Sequence, residues 1–307
     1  MKKIIIFLLL ILFFSCTPPE KNPWKYDVSA FTNINSELLT YQEEQNHTMP
    51  AGAELICADE LIYITAGNIL YTFTPDMKKK SEIYFTEKIT AISYAAPDLY
   101  LAFSSYILTS NTVLGTTRHF STGSKYSDII SIAASAGEYY LADYGESQIW
   151  RFSENEKLLS VIGKNDGLKF ILPSRYFACT SDQRGNFYFV NPGRRIIFHY
   201  KNGEKISSWG TSGFNIEAFT GCCNPSRMIF HGNELYTVEK GLLRIKKYSS
   251  DGKLLALVAG QNDFLPETVP DLAVDKKSRV IVLDHKKKQV RFFSERKTGS
   301  PDKDKKP

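Results

Sequence analysis

Tyr139-Tyr-Leu-Ala-Asp143 is one of six short strand-like runs that recur along the chain. Their second residues fall at positions 62, 100, 140, 188, 236 and 281, so the period is 38 to 48 residues. The other five runs are Leu61-Ile-Tyr-Ile-Thr65, Leu99-Tyr-Leu-Ala-Phe103, Phe187-Tyr-Phe-Val-Asn191, Leu235-Tyr-Thr-Val-Glu239 and Val280-Ile-Val-Leu-Asp284. Recurrence at such a period indicates a repeat architecture built from one supersecondary unit.

In each of the clearer units, the central run is followed along the chain by an outer strand, a tight turn and a final strand. Asn202-Gly203 and Asp251-Gly252 separate two such strand pairs. These dipeptides adopt the positive φ angles that two-residue hairpins require. Another apolar run, such as Ile129-Ile-Ser-Ile-Ala-Ala134, precedes the central one. The pattern therefore predicts four antiparallel strands in every unit.

Six four-stranded units predict an all-β fold, a six-bladed β-propeller in which each sheet packs against its neighbours. The sixth unit ends near Phe293 after only three strands. An unpaired sheet edge is a liability, so we expect a strand within Asn35–Tyr41 to complete that blade and close the ring. An open solenoid is the alternative, but it needs capping repeats that the sequence does not show.

The N-terminus has the features of an export signal. Lys2 and Lys3 precede eleven apolar residues and then Ser15-Cys16, and eleven helical residues are too short to span a bilayer. The segment resembles the lipobox of bacterial lipoproteins, with Phe13 where Leu is usual; an ordinary secretory peptide is the alternative. The resemblance implies that acyl chains such as palmitate on Cys16 anchor the protein to a membrane of the bacterial cell envelope, on its periplasmic side or at the cell surface.

These observations divide the chain into a signal peptide at 1–15, a tether at 16–35, the propeller at 36–294 and a disordered charged tail at 295–307. The formal charge of +5 includes Lys2 and Lys3. The tail carries a further +2, which leaves about +1 for residues 16–294. The folded part therefore lacks the basic surface that nucleic-acid binding requires, and no nucleic-acid partner is expected.

The units resemble NHL repeats, a class of six-bladed propeller, over about residues 125–293. The resemblance rests on the polar residue that ends the central run, which is Asp143, Asn191, Glu239 or Asp284. Gly221-Cys-Cys-Asn-Pro225 is similar to a segment shared by an uncharacterised bacterial subgroup. The resemblance implies a binding platform for proteins or ligands, although a minority of the family are enzymes, including a metal-dependent lyase.

Nothing in the sequence supports catalysis or a bound cofactor. The common motifs of zinc proteases, P-loops, serine hydrolases and thiol oxidoreductases are missing. The lyase-type members have inward-facing histidines from several blades. The five histidines here do not recur at one position of the repeat, and they are His47, His119, His199, His231 and His285.

Cys222 and Cys223 stand out because they are adjacent in a connection between two blades. Neighbouring side chains of an extended chain point to opposite sides, and the spacing is not that of a zinc site. Three interpretations stay open: a vicinal disulfide, a bridge from one of them to Cys57 or Cys179, or a thiol pair that contacts a metal or redox partner.

Pro173-Ser-Arg175 and Pro225-Ser-Arg227 repeat the same tripeptide before the innermost strands of units four and five. Arg175 and Arg227 form either an anion-binding fork at the channel rim or braces between loops. We therefore expect a non-catalytic platform that binds a protein or small molecule at the channel face through Arg175, Arg227, Cys222, Cys223 and Asn224. The alternative is an envelope enzyme or redox accessory with a metal or thiol site at Cys222-Cys223.

Overall fold

The computed structural model describes most of the repeat region of the chain. The described residues are 36–111, 117–135, 137–163, 166–182, 184–265 and 268–296. The predicted signal peptide, the acylated Cys16, the tether and the tail from 297 lie outside them and stay predictions. In the part of the chain that is described, no helix has the length and apolar character needed to cross a bilayer.

Two single turns of 3₁₀ helix, Ser36–Leu38 and Gln261–Asp263, accompany the strands. The strands are β1 Tyr41–Thr48, β2 Leu55–Ala58, β3 Ile62–Ala66, β4 Ile69–Phe73, β5 Lys79–Tyr84, β6 Ala91–Ala95, β7 Asp98–Ala102, β8 Tyr106–Asn111, β9 Thr117–Ser121, β10 Ile129–Ser135, β11 Glu138–Asp143, β12 Gln148–Ser153, β13 Leu158–Ile162, β14 Cys179–Ser181, β15 Asn186–Asn191, β16 Ile196–Lys201, β17 Glu204–Trp209, β18 Arg227–His231, β19 Glu234–Glu239, β20 Arg244–Ser249, β21 Leu254–Ala259, β22 Asp271–Val274, β23 Val280–Asp284 and β24 Gln289–Glu295.

The strands form six antiparallel sheets of four, which confirms the predicted six-bladed propeller. Five blades take four consecutive strands each, beginning with β2, β6, β10, β14 and β18. The six runs found in the sequence are the second strands of the blades, β3, β7, β11, β15, β19 and β23. The Asn202-Gly203 turn has the expected positive φ angles, 51° and 86°, which fit a two-residue hairpin.

The sixth blade has the order β1-β24-β23-β22, so an N-terminal strand does close the ring. Its predicted position is wrong, because Ser36–Leu38 form a 3₁₀ turn and the strand begins only at Tyr41. The closing strand is mostly polar and exposed, and Tyr41 is its one well-buried residue. A search for apolar alternation therefore selects the short apolar stretch just before it. The backbone pairs Tyr41 with Glu295 and Thr48 with Gln289.

The core lies between the blades. The described residues form six buried apolar clusters, and each combines side chains of two neighbouring blades. Tyr140 of the third blade stacks on Phe187 of the fourth with ring centroids 3.8 Å apart. Tyr188 of the fourth stacks on Phe230 of the fifth at 5.0 Å. Much of the aromatic content is therefore used for packing between sheets.

Hydroxyl groups join the innermost strands, which have an unpaired edge facing the channel. The Ser131 hydroxyl accepts a hydrogen bond from the Cys179 amide at 3.1 Å, and Thr180 accepts one from the Phe230 amide at 2.9 Å. Each bond links one blade to the next and satisfies a backbone donor that the sheet leaves unpaired.

Blade five contains a buried ionic group. Glu239 is fully buried and accepts a bond from Arg244 at 2.7 Å, and its other oxygen is ion-paired with Lys246. Lys246 also donates to the carbonyls of Ile216 and Ala218, both at 2.9 Å. Burial lowers the pKa of Lys246 to about 8. These bonds fix the long connection between the fourth and fifth blades against the sheet.

Candidate functional site

A central channel runs through the ring, with a volume of about 410 Å³. Its wall comes from the innermost strands of all six blades, β2, β6, β10, β14, β18 and β22. Arg227 and Asp271 lie at the end where these strands begin, whereas Asp59, Asp182 and His231 lie where they end. The middle is neutral and contains residues such as Ile92, Ser131 and Leu272.

The topology determines which loops share a face with each mouth. Every blade has four antiparallel strands, so the connection to the next blade and the turn between the second and third strands lie on one face. We call this the upper face, and the channel opening there the upper mouth. Arg175 and Cys222-Cys223-Asn224 belong to such connections, and Arg227 is the first strand residue after one. The predicted site residues therefore lie on the same face of the ring.

The repeated polar residue at the end of the second strand holds the preceding connection in place. Its side chain accepts a hydrogen bond from a backbone amide of that connection in three consecutive blades. These bonds join Asp143 to Asp128 at 2.8 Å, Asn191 to Ile171 at 3.0 Å and Glu239 to Thr220 at 3.3 Å. The feature that suggested the repeat is thus a structural device that positions the upper face.

Arg175 braces two blades. Its guanidinium donates to both carboxylate oxygens of Asp128, at 2.8 Å and 2.6 Å. Arg175 lies four residues before β14 begins, whereas Arg227 is the first residue of β18. The two repeated tripeptides therefore do not occupy equivalent positions, because β14 is only three residues long and starts late. The side chain of Arg175 is half exposed.

Arg227 lies closer to the channel. Its Nε is 3.0 Å from Asp271, whose other oxygen accepts a hydrogen bond from the Ile56 amide at 2.9 Å. The guanidinium carbon is 5.6 Å from the centre of the Tyr176 ring. This chain of contacts connects the fifth, sixth and first blades around the upper mouth. It holds the partly buried guanidinium of Arg227 at the rim.

Lys240 and Tyr176 are members of this cluster that the sequence reasoning missed. The Lys240 ammonium is 5.2 Å from the centre of the Tyr176 ring and 3.5 Å from the hydroxyl of Ser174. Lys240 directly follows Glu239, the polar residue that ends its second strand, and the matching residue in the sixth blade is His285. Comparison of this position between repeats is the sequence signal that could have identified Lys240 and His285.

His285 adds a titratable group to the upper mouth. Burial lowers the pKa of His285, the nearby Asp271 raises it, and Arg227 lowers it. His231 lies at the opposite end of the channel, 3.3 Å from the Ser278 hydroxyl. His199 is on the third strand of its blade, stacked on Tyr188 with ring centroids 4.5 Å apart. These three histidines therefore do not share a site.

The two adjacent cysteines have opposite environments. Cys222 is exposed, whereas Cys223 is buried and its sulfur accepts a hydrogen bond from the Ser174 hydroxyl at 3.0 Å. These two, Cys57 and Cys179 are free thiols in the structure. Burial raises the pKa of Cys179 to about 12 and also raises that of Cys57, so both are inert at neutral pH. Within the described ranges, no three side chains of His, Cys, Asp or Glu group as metal ligands.

Asn224 fixes the Gly-Cys-Cys-Asn-Pro segment. Its side chain is fully buried, donates to the carbonyls of Thr220 and Lys240, and accepts a bond from the Lys240 amide at 2.8 Å. Cys223 has a left-handed φ of 64° within this turn. The segment thus clamps the blade connection to the turn that carries Lys240 and fixes the backbone of that residue.

Comparisons with solved structures agree with the fold. A streptogramin B lyase matches with a TM-score of 0.57 and 12% identity, over 85% of this chain and 100% of that chain. Virginiamycin B lyase from Staphylococcus aureus gives 0.54 and 10%, over 83% and 99%. A chain of a mitotic checkpoint complex gives 0.60 and 9%, over 96% and 99%. At such identities the likeness concerns the propeller alone.

No protein-family model matches the chain, and no curated protein matches it. The NHL affiliation and the lipoprotein subgroup therefore stay predictions. The class that the structure defines is a six-bladed β-propeller, a fold consistent with a binding platform.

Proposed function

We propose that the protein is a lipid-anchored lipoprotein of the bacterial envelope, and that its propeller is a non-catalytic platform for a protein or small-molecule ligand at the upper face. The carrying observation is a group of polar side chains beside the channel: Arg227 lines it, and the Tyr176 ring next to Arg227 also contacts Lys240. Convergent polar groups at the opening of a cavity are typical of ligand sites.

The surrounding surface supports a platform role. Four successive blade connections each expose one large apolar side chain on the upper face, with relative exposures of 46% to 67%. These residues are Tyr126, Ile171, Phe214 and Leu265. Large apolar groups exposed around a polar mouth are typical of interaction surfaces.

The anchoring part of the proposal rests on the residues before the propeller. The test is fractionation of cells that express the full chain or its Cys16→Ser variant, with mass spectrometry of the N-terminal peptide. We expect the unsubstituted protein in the membrane fraction with acyl chains on Cys16 and the variant in the soluble fraction. An unmodified Cys16 in a soluble protein contradicts anchoring.

The platform part is tested by photo-cross-linking in cells. A photoreactive amino acid replaces Phe214 on the upper face or, as the matched control, Lys253 in a hairpin turn on the opposite face. We expect light-dependent adducts from position 214 that are weak or missing from position 253. Equal adducts at both positions, or adducts only at 253, contradict binding at the upper face.

A further inference from the structure

Lys240 is a half-buried cation without an anionic partner among the described residues. Its ammonium contacts the Ser174 hydroxyl at 3.5 Å and the Tyr176 ring, and it makes no ion pair with a carboxylate in the residues that the structure describes. Withdrawal of an ammonium group from water is costly unless an opposite charge compensates it. The position therefore favours a counter-charge from outside the protein.

Three carboxylates of the same face are already engaged. Asp271 pairs with Arg227 and with the Ile56 amide. Asp128 is bound through both oxygens by Arg175. Glu239 points into its blade, where Arg244, Lys246 and Thr220 bind it. None of these three groups is left to neutralise Lys240.

A second cation shares the aromatic ring with Lys240. The distances to the Tyr176 centroid, 5.2 Å for Lys240 and 5.6 Å for Arg227, place the two charges no more than 10.8 Å apart. Arg227 uses Nε for Asp271, and its Nη1 makes only a long bond of 3.4 Å to the Ser226 carbonyl. An anion near Tyr176 is therefore attracted by both groups, and the guanidinium has donors to offer it.

We propose that Lys240, Arg227 and Tyr176 form a seat for the oxyanion head of a small ligand, whose uncharged body enters the channel; this inference rests on the proposed platform function. The head is a carboxylate or a phosphoryl group, because both present the oxygens that ammonium and guanidinium groups bind. The body is compact and neutral, because the channel holds about 410 Å³ and its middle is lined by apolar and hydroxyl side chains.

Calorimetric titration of the soluble Cys16→Ser protein at constant ionic strength tests the seat. The probes are phenyl phosphate, benzoate, inorganic phosphate and the neutral control benzyl alcohol. We expect the aromatic anions to bind more tightly than inorganic phosphate, because only they fill the channel. Benzyl alcohol is expected to bind most weakly. A preference for phenyl phosphate identifies a phosphoryl head, and a preference for benzoate identifies a carboxylate.

Lys240→Met is the decisive variant, because it removes the charge at a half-buried position that makes no ion pair within the described residues. We expect it to weaken binding of the better aromatic anion about ten- to a hundred-fold, the usual range for loss of a charge-assisted hydrogen bond. Lys240→Arg is expected to retain most of the affinity. Arg194→Met is the matched control, since Arg194 is an exposed cation in the equivalent turn of the fourth blade, and it should change affinity less than two-fold.

Equal losses in Lys240→Met and Arg194→Met would show general charge attraction and overturn the seat. The same conclusion follows if no anion binds the unsubstituted protein at millimolar concentration. Circular dichroism of each variant confirms that it is folded. Failure of anion binding together with upper-face cross-links at position 214 refutes the seat and leaves the platform, whereas loss of both refutes the platform as well.

Discussion

Ring closure depends on Arg291, and its substitution by Met gives the sharpest test of the fold. The Arg291 side chain is almost fully buried and joins three elements. It donates to Glu43 of the closing strand at 2.6 Å, to Asp284 of the same blade at 3.0 Å and to the Asp263 carbonyl at 2.8 Å. Arg291→Met leaves the buried Asp284 carboxylate without this partner, so we expect a loss of about 3 to 5 kcal/mol in the free energy of unfolding.

Urea unfolding measures this loss, and hydrogen exchange shows where it acts. The exchange of β1 amides should accelerate far more than that of β10 to β13, because β1 pairs its backbone with β24, the strand that carries Arg291. The control is Lys276→Met, which breaks the exposed pair Lys276–Glu60 and should cost less than about 1 kcal/mol. A loss below 1 kcal/mol for Arg291→Met, or unchanged exchange of β1, refutes this account of closure.

Three further predictions follow from the packing and the titratable groups. Gly252→Ala should cost about 1 to 3 kcal/mol in urea unfolding, because Gly252 has a φ of 94° and an added Cβ would clash with the Trp209 ring; an unchanged midpoint refutes it. The free energy of unfolding of the unsubstituted protein, relative to that of Lys246→Met, should rise between pH 8 and 9.5. The pKa of Lys246 is about 8 in the folded protein, below the usual 10.5, so the unfolded chain binds more protons in this window. The raised pKa of Cys57 and Cys179 acts in the opposite direction in both proteins and cancels in the difference, so a flat difference sinks the prediction. The Cys16→Ser protein should show one fast-reacting thiol, Cys222, when native and four in denaturant; fewer than four in denaturant reveals a disulfide.

The sequence was sufficient for the architecture because the repeat imposes one pattern on every blade. The central runs are short, mostly apolar stretches that the fold buries along nearly their whole length, and the Asn202-Gly203 turn has positive φ. The closing strand was misplaced because an exposed edge strand needs no apolar alternation. Its stability comes instead from backbone pairing with β24 and from the Glu43–Arg291 pair, which no local pattern reveals.

The candidate site was only partly predictable. Arg227 was identified from a repeated tripeptide, yet its partners Asp271 and Tyr176 belong to the neighbouring blades, so the cluster exists only once these blades pack side by side. Arg175 comes from the same repeated tripeptide, whereas Asn224 comes from the Gly-Cys-Cys-Asn-Pro segment. The structure shows that Arg175 braces a neighbouring blade and that Asn224 clamps a turn. The residues selected from the sequence lie on one face of the ring, and their contacts decide the role of each side chain.

Binding at the upper mouth is tested most directly by the rate at which Lys240 reacts with an acylating reagent, followed peptide by peptide with mass spectrometry in the presence and absence of phenyl phosphate. We predict that the ligand slows acylation of Lys240 several-fold, while Lys205 and Lys253 in the outer hairpins react at unchanged rates. Uniform rates at all three lysines would contradict a binding site at the channel mouth.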